Sequence, residues 1–171
     1  GLDPNGLSDR NIKNYFDLTR NHALIQYKYA IENPNNWKGY GENYWGLTAS
    51  YTRNPDGSVG YRAHNPKEDT GVITPTAALS SFPYTPKESM NVLRFLYTQK
   101  PEFIGSAGPY DATSIHYDNW FTPRYLAIDQ GTIAPMIENY RTGMLWKLFM
   151  NAPEIKTGLK KLDFHSTRYG F

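Results

Sequence analysis

Two carboxylates that could do acid–base chemistry stand in one short segment, Arg124–Gly143, "RYLAIDQGTIAPMIENYRTG". Asp129 comes three residues before Thr132, the predicted N-cap of a helix. The unpaired N–H groups and the dipole of a helix N-terminus favour an ionised carboxylate. An ionised, fixed carboxylate is what the general base of glycoside hydrolysis requires. The pattern by itself favours the plainer interpretation, a carboxylate that caps loop or helix amides.

Glu138, the second carboxylate of this segment, has Arg141 three positions further on. That spacing permits an ion pair on one face of a helix. An arginine partner lowers the pKa of a carboxyl group, which suits a structural or substrate-orienting residue better than a general acid. The structural interpretation is therefore the stronger one for Glu138.

Other candidate polar residues lie in predicted loops. Asp111, in "GPYDATS", has no evident capping partner, so a functional and a turn-forming role both stay open. Asp69, in "EDTGVITP", has the Asp-x-Gly spacing of a turn. His64 and His116 have no spacing that gathers them with acidic residues into a metal site, so hydrogen-bonded histidines are predicted and no metal.

Aromatic residues are abundant: the chain has 14 Tyr, 8 Phe and 4 Trp. Tyr and Trp combine an apolar face with a polar tip, which suits sugar-binding clefts as well as ordinary cores. Trp45, Tyr110, Trp120 and Tyr125 are predicted to stack on sugar because they fall in loops or at helix entries. Trp146 lies among apolar residues and is predicted to be core.

Composition excludes several classes of function. The chain has 171 residues, the size of a single domain over residues 1–171, and a net charge of +2, too even to indicate nucleic acid or an anionic membrane as partner. There is no cysteine, hence no disulfide and no thiol nucleophile. No apolar run approaches the roughly 20 residues of a membrane span. Neither a nucleophile elbow, a phosphate loop nor a dinucleotide fingerprint occurs, so no cofactor is predicted.

The first predicted helix covers Leu7–Ile31, with Ser8 as N-cap, and Asn33-Pro34 ends it because a residue before proline avoids helical geometry. A hairpin is predicted within Tyr51–Pro66 around the turn Pro55-Asp56-Gly57.

Helices are also predicted further along the chain. A short one covers Pro75–Ser81, and a clear helix start follows, with Thr85 as N-cap, Pro86 at the first position and Glu88 three residues after the cap. Its predicted buried stripe consists of Met90, Leu93, Leu96 and Tyr97.

The helix after Thr132 places Pro135 in its first turn and has a continuous apolar face, made of Ile133, Met136, Ile137, Tyr140 and Met144. Leu145–Phe164 is predicted to form one or two further helices, with Asn151 and Glu154 in cap-and-return spacing. The predicted class is mainly α with long, aromatic-rich functional loops.

Four segments, read together, resemble one family: "GYGENYWGLTAS" (Gly39–Ser50), "GVITPTAALSSFPYTPKESMNVLRFLY" (Gly71–Tyr97), "GPYDATS" (Gly108–Ser114) and "WFTPRYLAIDQGTIAPMIENYRTGMLWKLFM" (Trp120–Met150). They resemble the C-terminal part of the glycoamylase-like family, which includes bacterial endo-β-1,2-glucanases, β-1,2-glucosidases and the hydrolase-like region of cyclic β-1,2-glucan synthases. The resemblance runs from about Asn35 to Phe164.

The resemblance implies the C-terminal portion of an (α/α)₆ toroid that hydrolyses a β-glucan, with β-1,2-linked glucan the leading substrate. It implies that Asp129 is the acidic residue of the cleft and that Trp45, Asp111, Tyr125 and Gln130 lie in segments lining it. Glu138 and Arg141 match the sequence pattern of the family. We interpret them as residues of the cleft wall or as structural residues. One departure is Thr113-Ser114, where the family often has an aromatic residue and Asn.

Family members are about twice as long or more, so the resemblance implies a general acid upstream of this chain. It also implies helix faces that a missing N-terminal half or self-association would cover. We expect an exported bacterial glucan hydrolase, periplasmic or at the cell surface, whose signal segment is outside this chain. The alternatives are a non-catalytic carbohydrate-binding module and a structural interaction domain.

Overall fold

Helices are the main elements of the computed structural model, which describes residues 1–171. The six α-helices are α1 (Tyr15–Glu32), α2 (Pro75–Leu79), α3 (Pro86–Gln99), α4 (Ala127–Arg141), α5 (Met144–Asn151) and α6 (Pro153–Lys161). Short strands pair antiparallel, β1 (Leu7–Ser8) with β8 (His165–Ser166), β2 (Ser50–Arg53) with β3 (Val59–Arg62), β4 (Ile104–Gly105) with β5 (Gly108–Pro109), and β6 (Thr113–Ser114) with β7 (Trp120–Phe121). The mainly α class predicted from the sequence is confirmed.

The first helix is shorter than predicted. It begins at Tyr15, not at Leu7, because the side chain of Asn14 accepts hydrogen bonds from the amides of Phe16 and Asp17. Ser8 is not a cap, since Leu7–Ser8 pairs with His165–Ser166 and joins the two ends of the chain. The predicted stop is confirmed: Asn33 follows the helix in left-handed geometry with a φ of 43°.

The hairpin predicted within residues 51–66 is confirmed. Ser50 pairs with Arg62 at one end of the ladder and Arg53 with Val59 at the other. The turn is held by the Asp56 carboxylate, which accepts hydrogen bonds from the amide and the hydroxyl of Ser58 at 2.9 and 2.7 Å.

The main core lies between α1, α2, α3 and the loop before β2. Its eleven buried residues are Ala30, Tyr44, Trp45, Leu47, Ile73, Ala78, Leu79, Val92, Leu96, Phe103 and Ile115. The hydroxyl of Ser89 on α3 donates to the carbonyl of Ala78 on α2 at 2.8 Å and fixes these two helices together.

Helix α3 starts where the sequence predicts, but its details differ. Thr85 occupies the N-cap position without capping, because its hydroxyl instead contacts Ser81 and Ser89. Leu96 is fully buried as predicted, whereas Tyr97 is 52% exposed. The buried face is centred on Ser89, Val92 and Leu96, one position away from the predicted stripe.

Helix α4 begins six residues earlier than predicted, at Ala127 after the N-cap position Leu126. Thr132 is therefore inside the helix, and its hydroxyl donates to the carbonyl of Asp129 at 3.0 Å. Pro135 also lies in the helix interior rather than in the first turn. A proline ring there crowds the carbonyl of the residue four positions earlier; that residue is Gly131, which adds no side chain to the crowding.

The C-terminal segment forms two helices, α5 and α6, which meet at Ala152. Asn151 is not the cap of α6, since its side chain donates to the carbonyl of Lys147 at 2.9 Å. A second small core of Leu7, Met150 and Leu159 joins these helices to the N-terminal segment.

Several large apolar side chains on helices stay exposed. Ile128 on α4 is 78% exposed, Leu148 on α5 67% and Ile25 on α1 60%. The apolar stripe predicted on α4 is only partly covered, and Tyr140 is 50% exposed. None of the helices is both long and apolar enough to cross a membrane.

Candidate active site

Asp129 is the third residue of α4 and lies at the wall of an open cleft. Only 9% of the residue is exposed, and its Oδ2 atom is buried without a hydrogen-bond donor. Burial, reinforced by the nearby Asp111 carboxyl, raises the pKa of Asp129 from 3.8 to about 7. The helix N-terminus therefore does not keep the pKa of Asp129 low, because desolvation and a like charge outweigh the helix dipole.

Asp111 is 1% exposed and lies behind Asp129, within hydrogen-bonding reach of its side chain. The Ser50 hydroxyl donates to its Oδ2 atom, and the Leu126 amide donates to its Oδ1 atom at 3.4 Å. The sequence leaves both a functional and a turn-forming role open for Asp111. The structure makes it a buried neighbour of Asp129 and removes it from the residues that could contact sugar hydroxyls directly.

Three hydroxyl groups form a connected network beside Asp129. Thr76 on α2 donates to the Asp129 carbonyl at 2.6 Å. Ser80 lies 2.9 Å from Thr76 and 2.8 Å from Thr132, measured between hydroxyl oxygens. The network therefore ties α2 to α4 and offers rotatable donors and acceptors beside the carboxyl.

The cleft has a volume of about 380 Å³ and a lining of mixed polar and apolar character, formed by Gln26, Leu47, Thr48, Thr76, Ala77, Ser80, Ser81, Ile128, Asp129 and Thr132. Sequence reasoning missed all of these residues except Asp129. A weak signal existed in the predicted helix Pro75–Ser81, where Thr76 and Ser80 stand one turn apart. Gln26 and Ser81 also line a second groove next to this cleft, so the two depressions adjoin.

Gln130, a predicted sugar contact, holds a loop in place. Its side-chain amide donates to the carbonyl of Pro109 at 2.6 Å. Tyr110 stacks on Phe121 with ring centroids 4.8 Å apart and on Tyr125 at 5.5 Å. The hydroxyl of Tyr125 accepts a hydrogen bond from the Ala107 amide at 3.4 Å. Tyr110 and Tyr125 therefore pack on each other and on the loop, which argues against free stacking faces for sugar.

The two predicted tryptophans have different environments. Trp45 is completely buried, with its ring edge-on to Tyr27 at 5.6 Å. Its interpretation as a sugar-stacking surface is contradicted by this burial, although the residue also borders the second groove next to the cleft. Trp120 is only partly buried on β7, opposite Ser114, and stays a candidate for sugar stacking. Trp146 is 5% exposed, which confirms it as a core residue.

Glu138 and Arg141 form the ion pair that their spacing permits, with 3.3 Å between Oε2 and a guanidinium nitrogen. Glu138 also accepts a hydrogen bond from the Thr142 hydroxyl at 2.7 Å. Nine residues separate Glu138 from Asp129, about 14 Å along the helix axis. The pair lies at the C-terminal end of α4, far from Asp129 along the helix. This position fits the structural interpretation of both residues.

Asp69 adopts the predicted turn, accepting the Gly71 amide at 3.0 Å. Its carboxylate also accepts the hydroxyls of Tyr40 at 2.8 Å and Tyr29 at 2.9 Å, and burial together with this carboxylate raises the pKa of Tyr29 to about 12. His64 is buried, its Nδ1 atom 3.4 Å from the Val72 carbonyl, and burial lowers its pKa. His116 accepts the Lys38 amide and packs edge-on against Trp37.

Comparison with known proteins identifies the family to which this helix-rich chain belongs. The family model "Glycoamylase: Putative glucoamylase" matches residues 1–153. The chain belongs to this family.

Individual relatives agree. A curated protein of Parabacteroides distasonis, "Exo beta-1,2-glucooligosaccharide sophorohydrolase (non-reducing end)", is 42% identical over 166 residues, which are 95% of this chain and 22% of that protein. The solved structure of a "putative glucoamylase" from Bacteroides fragilis is 53% identical with a TM-score of 0.91, over 98% of this chain and 39% of that one. The endo-β-1,2-glucanase of Chitinophaga pinensis, solved with sophorotriose and glucose, is 50% identical with a TM-score of 0.89, over 99% and 39%.

The chain spans about two fifths of the length of these two solved relatives and less than a quarter of the curated one. Its match therefore describes one part of the larger proteins.

Proposed function

We propose that this chain is part of a glycoside hydrolase that acts on β-linked glucan, most specifically β-1,2-linked glucan, with Asp129 as an acid–base carboxyl. The observation that carries the proposal is the position of Asp129, whose side chain meets the hydroxyl-lined cleft while burial raises its pKa to about 7. Two relatives named for hydrolysis of β-1,2-glucan or its oligosaccharides support the substrate.

The raised pKa suits a general base. A base is most effective when its pKa lies near the working pH, because it is then ionised often enough and still basic enough to accept a proton. In the proposed step, Asp129 accepts a proton from a water molecule whose oxygen attacks the anomeric carbon, while a second carboxylic acid protonates the departing glycosidic oxygen.

Asp111 cannot be that second acid. Hydrolysis requires the two carboxyl groups on opposite sides of the scissile bond, whereas Asp111 is buried behind Asp129 and within hydrogen-bonding reach of it. We therefore assign the general acid to residues outside this chain, and we expect these 171 residues alone to turn over little or no substrate.

Sugar contacts follow from the remaining lining. Ser80, Thr132 and Gln26 face the same cleft as Asp129, and hydroxyl and amide groups can both donate to and accept from sugar hydroxyls. Trp120 is the candidate stacking ring in this proposal because it is partly exposed, although it is not among the residues that line this cleft.

The proposal includes the C-terminal portion of an (α/α)₆ toroid as the fold. The extent of the relatives beyond the match supports it, as do the exposed apolar side chains of Ile25, Ile128 and Leu148. The remaining helices of such a domain would cover these side chains, so the 171-residue chain alone should self-associate. Light scattering that shows a monomer with little apolar-dye binding would contradict this part.

We further propose that the protein is exported to the periplasm or the cell surface of a bacterium. The support is the nature of the proposed substrate, because a polymeric glucan is encountered outside the cytoplasm. Fractionation of producing cells with an antibody against this chain tests it, and recovery in the cytoplasmic fraction alone would overturn it.

The decisive experiment replaces Asp129 by Asn in the full-length protein that contains this chain. Loss of a general base lowers kcat about 10²- to 10⁴-fold, measured as reducing sugar released from linear β-1,2-glucan. Asp163→Asn is the matched control, because Asp163 is 68% exposed and has a positive φ of 62° that Asn also tolerates. Activity of Asp129→Asn within a few-fold of wild type would remove Asp129 from the mechanism, and sugar binding without hydrolysis by the wild type would favour a carbohydrate-binding module.

A further inference from the structure

The protonation state of Asp129 can be inferred from the surroundings of its Oδ2 atom. It is buried, and no N–H or O–H group of the chain donates to it. A buried ionised oxygen without a donor is unfavourable, whereas a protonated one can itself donate to an acceptor. The acceptor within reach is the carboxyl group of Asp111.

Asp111 is held as an acceptor by two donors. The hydroxyl of Ser50 donates to Oδ2 and the amide of Leu126 to Oδ1, and only 1% of the residue is exposed. These two donors fix the orientation of the Asp111 carboxyl group. The backbone of Asp111 is also fixed, since its amide donates to the carbonyl of Arg124 at 3.2 Å.

We propose that Asp111 is the positioning residue of Asp129: the two carboxyl groups share one proton, which Asp129 carries and donates to Asp111. This inference rests on the proposed function of Asp129 and adds the residue that controls it. Two carboxyl groups in hydrogen-bonding contact do not both ionise readily.

Apart from Asp111, the groups that surround Asp129 carry no charge that could act on its carboxyl group. From α2 the neighbours are the neutral hydroxyls of Thr76 and Ser80, from α1 the neutral amide of Gln26, and from α4 itself Thr132. Arg124, the cation nearest in sequence, lies with its guanidinium carbon 5.4 Å from the centre of the Tyr51 ring.

This arrangement has a consequence for the reaction. When the proton leaves the pair, Asp129 becomes a carboxylate with a second negative charge behind it, which makes it a stronger base toward water. When Asp129 has taken the proton of the attacking water, Asp111 again accepts that proton in a hydrogen bond, and the pair returns it to solvent after the sugar leaves.

The test is the pH dependence of kcat/KM of the full-length protein on linear β-1,2-glucan, whose acidic limb reports the base of the free enzyme. Asp111→Asn removes the second charge, so the acidic limb should move to lower pH by about one unit or more, with a lower plateau because the base is weaker. Ser50→Ala should move the limb in the opposite direction, because Asp111 loses a donor and accepts the proton of Asp129 more readily.

Ser58→Ala is the matched control for Ser50→Ala, since the exposed hydroxyl of Ser58 also donates to an aspartate, Asp56, and the limb should stay in place. Thermal unfolding of each variant separates loss of fold from a change in titration. An Asp111→Asn enzyme that is folded and keeps the wild-type limb would overturn the inference, as would a Ser50→Ala shift to lower pH.

If Asp111→Asn does not fold, ¹³C NMR of the carboxyl carbons in the wild-type full-length protein gives the same information. The signal that disappears in Asp129→Asn should shift together with a second carboxyl signal in one shared titration, and independent titration of the two signals would overturn the inference. The two proposals fail separately: an active Asp129→Asn enzyme removes the proposed function, whereas an inactive Asp129→Asn with an unmoved Asp111→Asn limb removes only the role of Asp111.

Discussion

The hydroxyl of Thr76 donates to the backbone carbonyl of Asp129 at 2.6 Å, across 53 positions of sequence. This bond joins the short helix α2 to the first turn of α4 at the residue proposed to do the chemistry. The orientation of Asp129 therefore depends on a neutral side chain from another helix as well as on its own helix.

Thr76→Val should lower both stability and activity. Valine has nearly the same shape but no hydroxyl, so the Asp129 carbonyl loses its shortest side-chain donor in a buried place, at a cost of about 1–2 kcal/mol in the free energy of unfolding. Urea denaturation and kcat of the full-length protein measure the two effects. Thr98→Val is the control, because Thr98 makes the same kind of bond to the Arg94 carbonyl on an exposed surface; equal effects at both positions would show that the bond in the cleft has no special role.

The stability of the protein should depend on pH through Asp129. Its folded pKa of about 7 lies above the ordinary value of 3.8, so the folded state binds more protons between these values. The favourable contribution is fully present below about pH 4 and is lost as the pH rises through about 7.

Asp129→Asn should remove this dependence, so the variant gains stability relative to wild type between pH 5 and pH 8. Urea midpoints at the two pH values measure the difference, with Asp163→Asn as control. A constant difference between variant and wild type over this range would show that the carboxyl group does not titrate there.

Gly105→Ala should disturb the aromatic stack beside the site. A Cβ atom at this position would overlap the hydroxyl oxygen of Tyr125 and lie 2.6 Å from the ring of Tyr110. We expect a loss of about 1–3 kcal/mol of stability and a changed near-ultraviolet circular dichroism signal from the tyrosines.

Gly158→Ala is the opposite case and serves as its control. Gly158 lies inside α6 with open space around the Cβ position, so alanine should stabilise the helix by about 0.5–1 kcal/mol. Thermal unfolding compares the two variants. Stabilisation by Gly105→Ala would show that the aromatic stack rearranges without loss of protein stability.

Trp120→Ala should weaken sugar binding if its partly exposed ring stacks on glucose units. Loss of a stacking ring should raise KM several-fold with a smaller effect on kcat, because the ring binds sugar away from the reacting bond. The KM of the full-length protein for linear β-1,2-glucan measures the effect. Trp45→Phe is the comparison: Trp45 is a core residue, so it should lower the unfolding temperature and leave KM nearly unchanged.

Much of the local structure could be predicted from the residues. The turn at Asp69, the hairpin from Ser50 to Arg62, the end of α1 at Asn33-Pro34 and the pair Glu138–Arg141 depend on neighbours a few positions apart. The starts of α1 and α4 were harder to predict. These helices follow Asn14 and Leu126, whereas the apolar pattern places their starts at other residues. The start of α1 depends on which polar side chain meets the free amides, and several polar residues near it could do so, whereas α4 begins after Leu126 without a side-chain cap.

The sequence by itself determined the mainly helical class, the family resemblance and the presence of an acid at position 129 near the start of a helix. Only the tertiary structure decided that Asp111, held by Ser50, lies against this acid, that Trp45 and Tyr110 are packed against the protein's own rings, and that hydroxyl groups border the cleft. The physical reason is distance along the chain. Periodicity and turns express forces between neighbours, whereas the protonation state of a carboxyl group depends on burial and charge, which segments tens of residues apart create when they pack together.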